Sequence, residues 1–228
     1  MNVEIWSDIN CPWCYVGKRR FETALAEFGH ADAVTVTWRS FELDPSAPAE
    51  TVGDVSERIA AKYGISVEQA REMEASMIAT AAAEGLEYRF DIRRSANSFD
   101  AHRLIHLANE HGLGDAMKER LLAAHFTEGR LVSDPDELVA LGTEVGLDAD
   151  AVQTMLASDA FADAVRADEA AAQQFGISGV PTFIVDRRIG VSGAQPPEVL
   201  RGLLEQGWAQ QSPVIAGLDG QACGPDGC

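Results

Sequence analysis

The sequence predicts an α/β fold in which a β–α–β opening and a β–β–α close are separated by a long helical stretch. Three observations predict it. Residues 2–7 and 34–38 alternate apolar and polar side chains, and an amphipathic run beginning at Pro12 lies between them. Strand-like character then disappears until Thr182-Phe183-Ile184-Val185. From about Val55 to about Phe175, apolar residues recur almost wholly at helical spacing.

Val3 and Ile5 alternate with Asn2 and Glu4 before Trp6 and Ser7, which reads as a short strand, and Asp8-Ile9-Asn10 reads as a turn. The helix that follows carries Pro12 at its first position, where the missing N–H costs nothing. Trp13, Val16, Phe21, Leu25 and Phe28 form its apolar stripe, with Gly29 as its stop. Val34-Thr35-Val36-Thr37-Trp38 reads as the second strand. In the helical stretch, Met73, Met77 and Ala81 share a face, as do Ala101, Leu104, Ile105 and Ala108, and then Met117, Leu121 and Ala124. Asp134-Pro135-Asp136-Glu137 is a helix start with a capping aspartate. A further helix is expected from Ser158, carrying Phe161, Val165, Ala172 and Phe175. After Thr182–Val185, a turn at Asp186-Arg187-Arg188 leads into a paired strand from Ile189 to Gly193, and a last helix runs from Pro197 to about Trp208. No periodicity is left beyond Gln210.

The chain of 228 residues is long enough for one large domain or for a domain carrying an insertion. A net charge of −18 argues against nucleic acid and anionic membranes as partners, because both call for basic stripes. Basic residues number 15 Arg and only 3 Lys. No apolar run reaches the roughly 18 residues of a membrane span. Met1–Asp8 shows neither a basic nor an apolar leader segment, so the expected address is the cytoplasm. Four cysteines stand as two tight pairs, Cys11/Cys14 and Cys223/Cys228. In a cytosolic protein such pairs point to redox catalysis or metal binding rather than a structural staple.

Cys11-Pro12-Trp13-Cys14 falls where the first strand runs into the first helix. Two cysteines at i and i+3 on the first turn of a helix share a face and can close a disulfide. The first is at the helix N-cap, where free N–H groups favour a thiolate, so its pKa is expected to be lowered. The second, one turn in, is expected to be more buried and able to resolve a mixed disulfide. A zinc knuckle would need a second ligand pair nearby. Pro181, in Gly179-Val180-Pro181-Thr182, is an odd start for a central strand unless its peptide bond is cis. The topology carries that loop to the side of the cysteine pair, where the Val180 backbone would be free to pair with an extended substrate.

These motifs resemble those of the DsbA-like thioredoxin family, and within it the FrnE-like branch. Ser7-Asp8 ahead of Cys11–Cys14, Asn97-Ser98-Phe99-Asp100-Ala101-His102-Arg103-Leu104, and Ser178-Gly179-Val180-Pro181-Thr182-Phe183 carry the resemblance. It implies a thioredoxin-like α/β fold with a large all-helical domain inserted after the β–α–β half. Residues 1–50 and 176–209 would form the discontinuous thioredoxin-like domain, 51–175 the helical insertion, and 210–228 a flexible tail with a Cys-x4-Cys. It also implies a nucleophilic Cys11, a resolving Cys14 and a substrate-contacting cis-Pro181, with Pro12, Trp13 and Val180 lining the substrate groove. The expected function is thiol–disulfide exchange of reductase or isomerase type, as a protein disulfide oxidoreductase with no bound cofactor. Partners would be protein or small-molecule thiols and disulfides, glutathione among the candidates. The same superfamily holds the 2-hydroxychromene-2-carboxylate isomerases and kappa-class glutathione transferases. These commonly have serine where Cys11 stands, so glutathione-dependent isomerisation or transfer is the alternative.

The Cys223–Cys228 pair leaves several readings open: an auxiliary redox dithiol exchanging with Cys11/Cys14, an independent or regulatory dithiol, joint zinc binding with the first pair, or no role. His102 and His106 stand at i, i+4 on one helix without a third ligand nearby, so packing is the expectation rather than a metal. Lys18, Arg19 and Arg20 either raise the potential at Cys11 or form a solvated face.

Overall fold

The computed structural model describes residues 1–51 and 53–211. The first strand, β1 (Asn2–Ser7), leads through a turn into α1 (Pro12–Ala26), and β2 (Thr35–Ser40) follows a short 3-10 turn. Seven helices come next: α2 (Val55–Tyr63), α3 (Val67–Ala83), α4 (Phe99–Glu110), α5 (Gly114–Phe126), α6 (Pro135–Glu144), α7 (Ala149–Leu156) and α8 (Ala162–Gln174). The chain then forms β3 (Thr182–Val185), β4 (Ile189–Ser192) and α9 (Pro197–Gln211). The sheet order is β2-β1-β3-β4, with β1 parallel to β2 and antiparallel to β3, and β3 antiparallel to β4. This is the thioredoxin-like α/β architecture the sequence predicts.

β1 is central and covered on both faces, which is why its alternation breaks down at Trp6. Val3 and Ile5 join the main core with Phe21 of α1 and Leu200 of α9, while Trp6 packs on the opposite side with Ala172 of α8 and Ile184. Glu4 shares the Trp6 face, and its carboxylate is neutralised by Arg39 of β2 and Arg187 after β3, at 2.6 and 2.8 Å. The main core does not stop at the boundary between sheet and insertion: Val3, Ile5 and Phe183 are in one cluster with Leu104, Leu121 and Leu138.

Several boundaries differ from the sequence reading. α1 ends at Ala26, short of Gly29, and β2 runs on to Ser40 because its register with β1 continues through Trp6–Arg39 and Ser7–Ser40. The helix expected at Ser158 begins at Ala162, after Phe161 adopts a left-handed φ of 62°. Met73 and Phe175, both assigned to apolar stripes, are exposed. Asp134 caps α6 by accepting from Asp136 and Glu137 N–H, as its motif predicts.

Gly17 is the point where α1 meets the Pro181 loop. A Cβ there would lie 2.8 Å from Pro181 Cγ and 3.5 Å from Phe183 Cζ. The proline ring cannot swing aside, so Gly17→Ala is expected to destabilise by about 1–3 kcal/mol, the usual cost of overpacking. A lowered urea midpoint with an unchanged m-value is the expected result, and an unchanged midpoint would show that the loop yields freely.

Candidate active site

The end of β1 positions the cysteine pair. Asp8 Oδ1 accepts from Asn10 N–H at 3.1 Å and Oδ2 from Leu43 N–H at 2.8 Å, pinning the turn to the loop after β2. Cys11 is the extended N-cap of α1 (φ −88°, ψ 112°), Pro12 is its first residue, and the Cys14 N–H bonds Cys11 O at 3.0 Å. Both cysteines are free thiols. Cys11 is 5% exposed and Cys14 1%. Cys11 Sγ donates to Val180 O at 3.4 Å, and the Val180–Pro181 peptide bond is cis. Chain segments 169 residues apart thus meet at one sulfur. Trp13 is exposed, while Pro12 O accepts from the Tyr88 hydroxyl at 2.6 Å, tying the first turn of α1 to the insertion.

The electrostatics differ from the expectation of a lowered pKa at Cys11. The two thiols are coupled, and in this geometry Cys11 is pushed well up, first by sharing its single S–H proton with the Cys14 sulfur and then by burial. Its bond to the Val180 carbonyl also favours the protonated form. Burial pushes Cys14 up, but the hydrogen bond from Cys11, the Lys118 ammonium and Ser7 outweigh it and bring it down. The two sulfurs are therefore shifted in opposite directions, and ionisation of the pair is favoured at the deeper one.

Lys118 of α5 is the source of that field. It is 1% exposed, donates to Ser7 O at 3.3 Å and lies 5.6 Å from the centre of the Trp38 ring. Burial lowers its pKa to about 8, against the pull of Cys14, Asp8 and Cys11. Asp8 is likewise buried; desolvation is outweighed by His102, the Leu43 N–H and Ser98, and its pKa is lowered. His102 Nε2 stands 3.5 Å from Asp8 Oδ1, and His106 Nε2 stands 3.1 Å from Asp168 Oδ2 and from Ser40 Oγ. The described residues contain no group of three or more His, Cys, Asp or Glu side chains able to hold a metal.

Neither reading of Lys18, Arg19 and Arg20 describes what the structure shows. Lys18 is buried and paired with Glu22, Asp115 and Glu119; Arg19 pairs with Glu22 and Glu119, and Arg20 with Glu84. Acidic partners from the insertion neutralise the basic run, so it supplies no free positive field. Cys223 and Cys228 lie outside the described residues. Sequence reasoning missed Lys118 and Tyr88. The available signal was a lysine, one of only three, beside Met117 in an otherwise apolar helix pattern.

Residues 2–205 match the family model of the DSBA-like thioredoxin domain. The chain belongs to that family. A probable DsbA oxidoreductase from Streptomyces coelicolor, SCO1869, is 51% identical, with a TM-score of 0.89 over 100% of this chain and 98% of that one. The uncharacterized protein YwbO of Bacillus subtilis is 29% identical over 203 residues, 87% of this chain and 93% of its own length. The cytosolic disulfide reductase DsbM of Pseudomonas aeruginosa shares the fold at 19% identity and a TM-score of 0.63, over 92% of this chain and 100% of that one. No helix among the described residues is long and apolar enough to cross a membrane.

Lys118 generates a prediction about pH. Its pKa is about 8 in the folded protein against the ordinary lysine value of 10.5, which the unfolded chain retains. Between these values the unfolded chain holds a proton that the folded chain has lost. Stability contributed by this group therefore rises with pH across that window and is lowest below pH 8. Lys118→Met is expected to raise the unfolding free energy of the reduced protein at pH 7 by up to about 3 kcal/mol, a gap that closes toward the upper end of the window. Urea titrations at about pH 7, 8.5 and 10 check it. A gap independent of pH would mean the lysine is not held as a buried ammonium.

Proposed function

We propose that the chain is a cytoplasmic thiol–disulfide oxidoreductase, acting on protein or small-molecule disulfides through Cys11 and Cys14. The observation that carries this reading is the position of Cys11: it caps a helix, faces the Val180 carbonyl beside Pro181, and has behind it Cys14, whose pKa is lowered. The Streptomyces relative, described as a probable DsbA oxidoreductase, supports it, as does the Pseudomonas reductase, also solved with glutathione.

Cys11 is the nucleophile because its sulfur is the less buried of the two. Its proton passes to Cys14 in the thiolate form that Lys118 favours, and the Cys11 thiolate attacks the substrate disulfide. One substrate sulfur leaves as a thiolate that takes up the proton held by Cys14, and a mixed disulfide forms between Cys11 and the other substrate sulfur. Cys14, having lost its proton again, attacks Cys11 Sγ, breaking the mixed disulfide and releasing the second substrate thiol. Two electrons have moved to the substrate and Cys11–Cys14 is oxidised; a low-molecular-weight thiol returns the electrons. Exposed Trp13, Pro12 and the Val180 backbone line the groove that receives the substrate, and the helical segment 51–175 covers the dithiol through Tyr88 and Lys118.

Insulin-disulfide reduction tests the assignment. Cys11→Ser is expected to abolish turnover, and Cys14→Ser to accumulate a mixed disulfide at Cys11 that mass mapping detects. Turnover that survives Cys11→Ser would overturn the reading.

The Cys223–Cys228 pair extends it. Gly224, Pro225 and Gly227 make the bend between these cysteines easy, so we propose that they form an auxiliary dithiol exchanging electrons with Cys11/Cys14. Cys223→Ser/Cys228→Ser is then expected to slow turnover and shift the redox midpoint of Cys11/Cys14 in a thiol-trapping titration. No change in either would remove the tail from the circuit.

A further inference from the structure

The sheet ends on β4, which has β3 on one side and no strand of the described residues on the other. The hydrogen bonds around β3 decide which β4 groups face outward. Asp186 N–H bonds Asn2 O at 2.8 Å, so in this register the peptide groups of Ile184 and Thr182 face β1. Gly193 N–H bonds Pro181 O at 2.7 Å, so those of Phe183 and Val185 face Val191 and Ile189. The peptide groups of Gly190 and Ser192 are left pointing away from the sheet. Ser192 O is taken by Gln195 Nε2 at 2.7 Å. Gly190 N–H, Gly190 O and Ser192 N–H have no partner among the described residues. Water-exposed edges are commonly blunted by lysine or proline, and Ile189-Gly190-Val191-Ser192 has neither.

A cavity of about 370 Å³ runs along this strand, on the Trp6 side of the sheet. Phe175 and Ile177, just past α8, wall it, and Ile184 lies in its floor. Phe175 packs edge-on against Trp6 at 5.7 Å, yet remains 39% exposed toward the opening. Gly190 leaves the middle of β4 bare on this face. A Cβ there would lie 2.6 Å from Phe183 O, so the fold itself keeps the position open.

The charge of the cavity runs against the rest of the molecule. Its lining holds two cations and no carboxylate, on a chain with 36 acidic and 18 basic residues. Arg187 is engaged by Glu4 at 2.8 and 3.0 Å. Arg188 is exposed and makes no ion pair with any described residue. Asp186, close by in sequence, accepts from Asn2 N–H at 2.7 Å and lies outside the lining.

We propose that β4 is a docking edge for an extended segment of a partner protein that carries an acidic side chain. The segment adds antiparallel to β4, and one of its residues exchanges both backbone bonds with Gly190. The residue two before it accepts from Ser192 N–H. The side chain opposite Gly190 fills the bare face beside Phe175 and Ile177, and the residue two after it sets a carboxylate against Arg188. Backbone bonds supply affinity in such strand addition, and the side-chain positions supply selectivity. A second copy of this chain fits less well. Pairing β4 with β4 about Gly190 would set Arg188 opposite Ser192 and bring together two chains of net charge −18. Docking at β4 involves neither cysteine and does not rest on the redox reading.

Nuclear magnetic resonance on the 15N-labelled full chain tests the proposal. The probes are acetyl-Thr-Val-Thr-Val-Thr-Glu-amide and its counterpart ending in glutamine. The glutamate peptide is expected to give saturable shifts centred on the Gly190 and Ser192 amides. Hydrogen exchange should slow at those two amides and stay unchanged at Ile189 and Val191. The glutamate peptide should bind about threefold more tightly than the glutamine peptide, the worth of an exposed ion pair, with the difference shrinking as salt is added. Arg188→Gln should erase that preference while leaving binding. Ser192→Pro, which removes only an outward N–H and so suits an edge strand, should weaken both peptides about fivefold. Shifts that fail to saturate or centre elsewhere, or equal binding of the two peptides by the wild type, would overturn the proposal. A concentration-dependent dimer in sedimentation with no peptide binding would give the edge to a second copy and overturn it too. The peptides contain no sulfur, so the insulin assay can fail while this result stands, or the reverse.

Discussion

Burial of β1 on both faces is the constraint from which the rest of the site follows. The strand pairs with β2 and β3, sends Val3 and Ile5 into the main core and places Trp6 against α8. Its direction and end point are therefore fixed, and so is the place where the chain must turn. Asp8 uses both carboxylate oxygens to hold that turn, and Cys11 comes to cap α1 as a consequence. A pair of sulfurs held at the end of a strand locked on both faces has little freedom to drift.

The helical insertion is an electrical part of the site as much as a cover for it. Lys118 comes from α5, yet the carbonyl it binds belongs to Ser7 of β1, and the charge it favours is on Cys14. Tyr88 bonds the carbonyl between the cysteines, and Glu119 and Asp115 quench the basic run that follows Cys14. An ammonium buried this deeply destabilises the fold at neutral pH, and its position beside the dithiol gives that cost a use. The same region leaves Arg93 and Asn10 Oδ1 without partners.

Much of this was legible in the sequence where the physics is local. The Pro12 helix start, the Asp134 cap and the alternation of residues 2–7 each depend on neighbours within a turn or a strand. So does the i, i+3 spacing of Cys11 and Cys14. Boundaries slipped where long-range partners decide them: β2 extends to Ser40 because β1 supplies the ladder, and Phe161 takes a left-handed φ that no local periodicity announces. The charge state of the cysteines was misread for the same reason. Helix-terminus reasoning sees the N–H groups of α1 but not the Val180 carbonyl, which arrives from 169 residues away, nor a lysine from another helix.

The sequence by itself determined the α/β class, the split of the sheet around a helical insertion, and the pair of cysteines at a strand-to-helix junction. Local backbone preference and hydrophobic period are enough for those. Only the tertiary structure decided that Cys11 faces Val180, and that Lys18 is paired with carboxylates while Lys118 is buried beside the dithiol. Burial and Coulomb energies depend on distances in space, and chain separation does not carry that information.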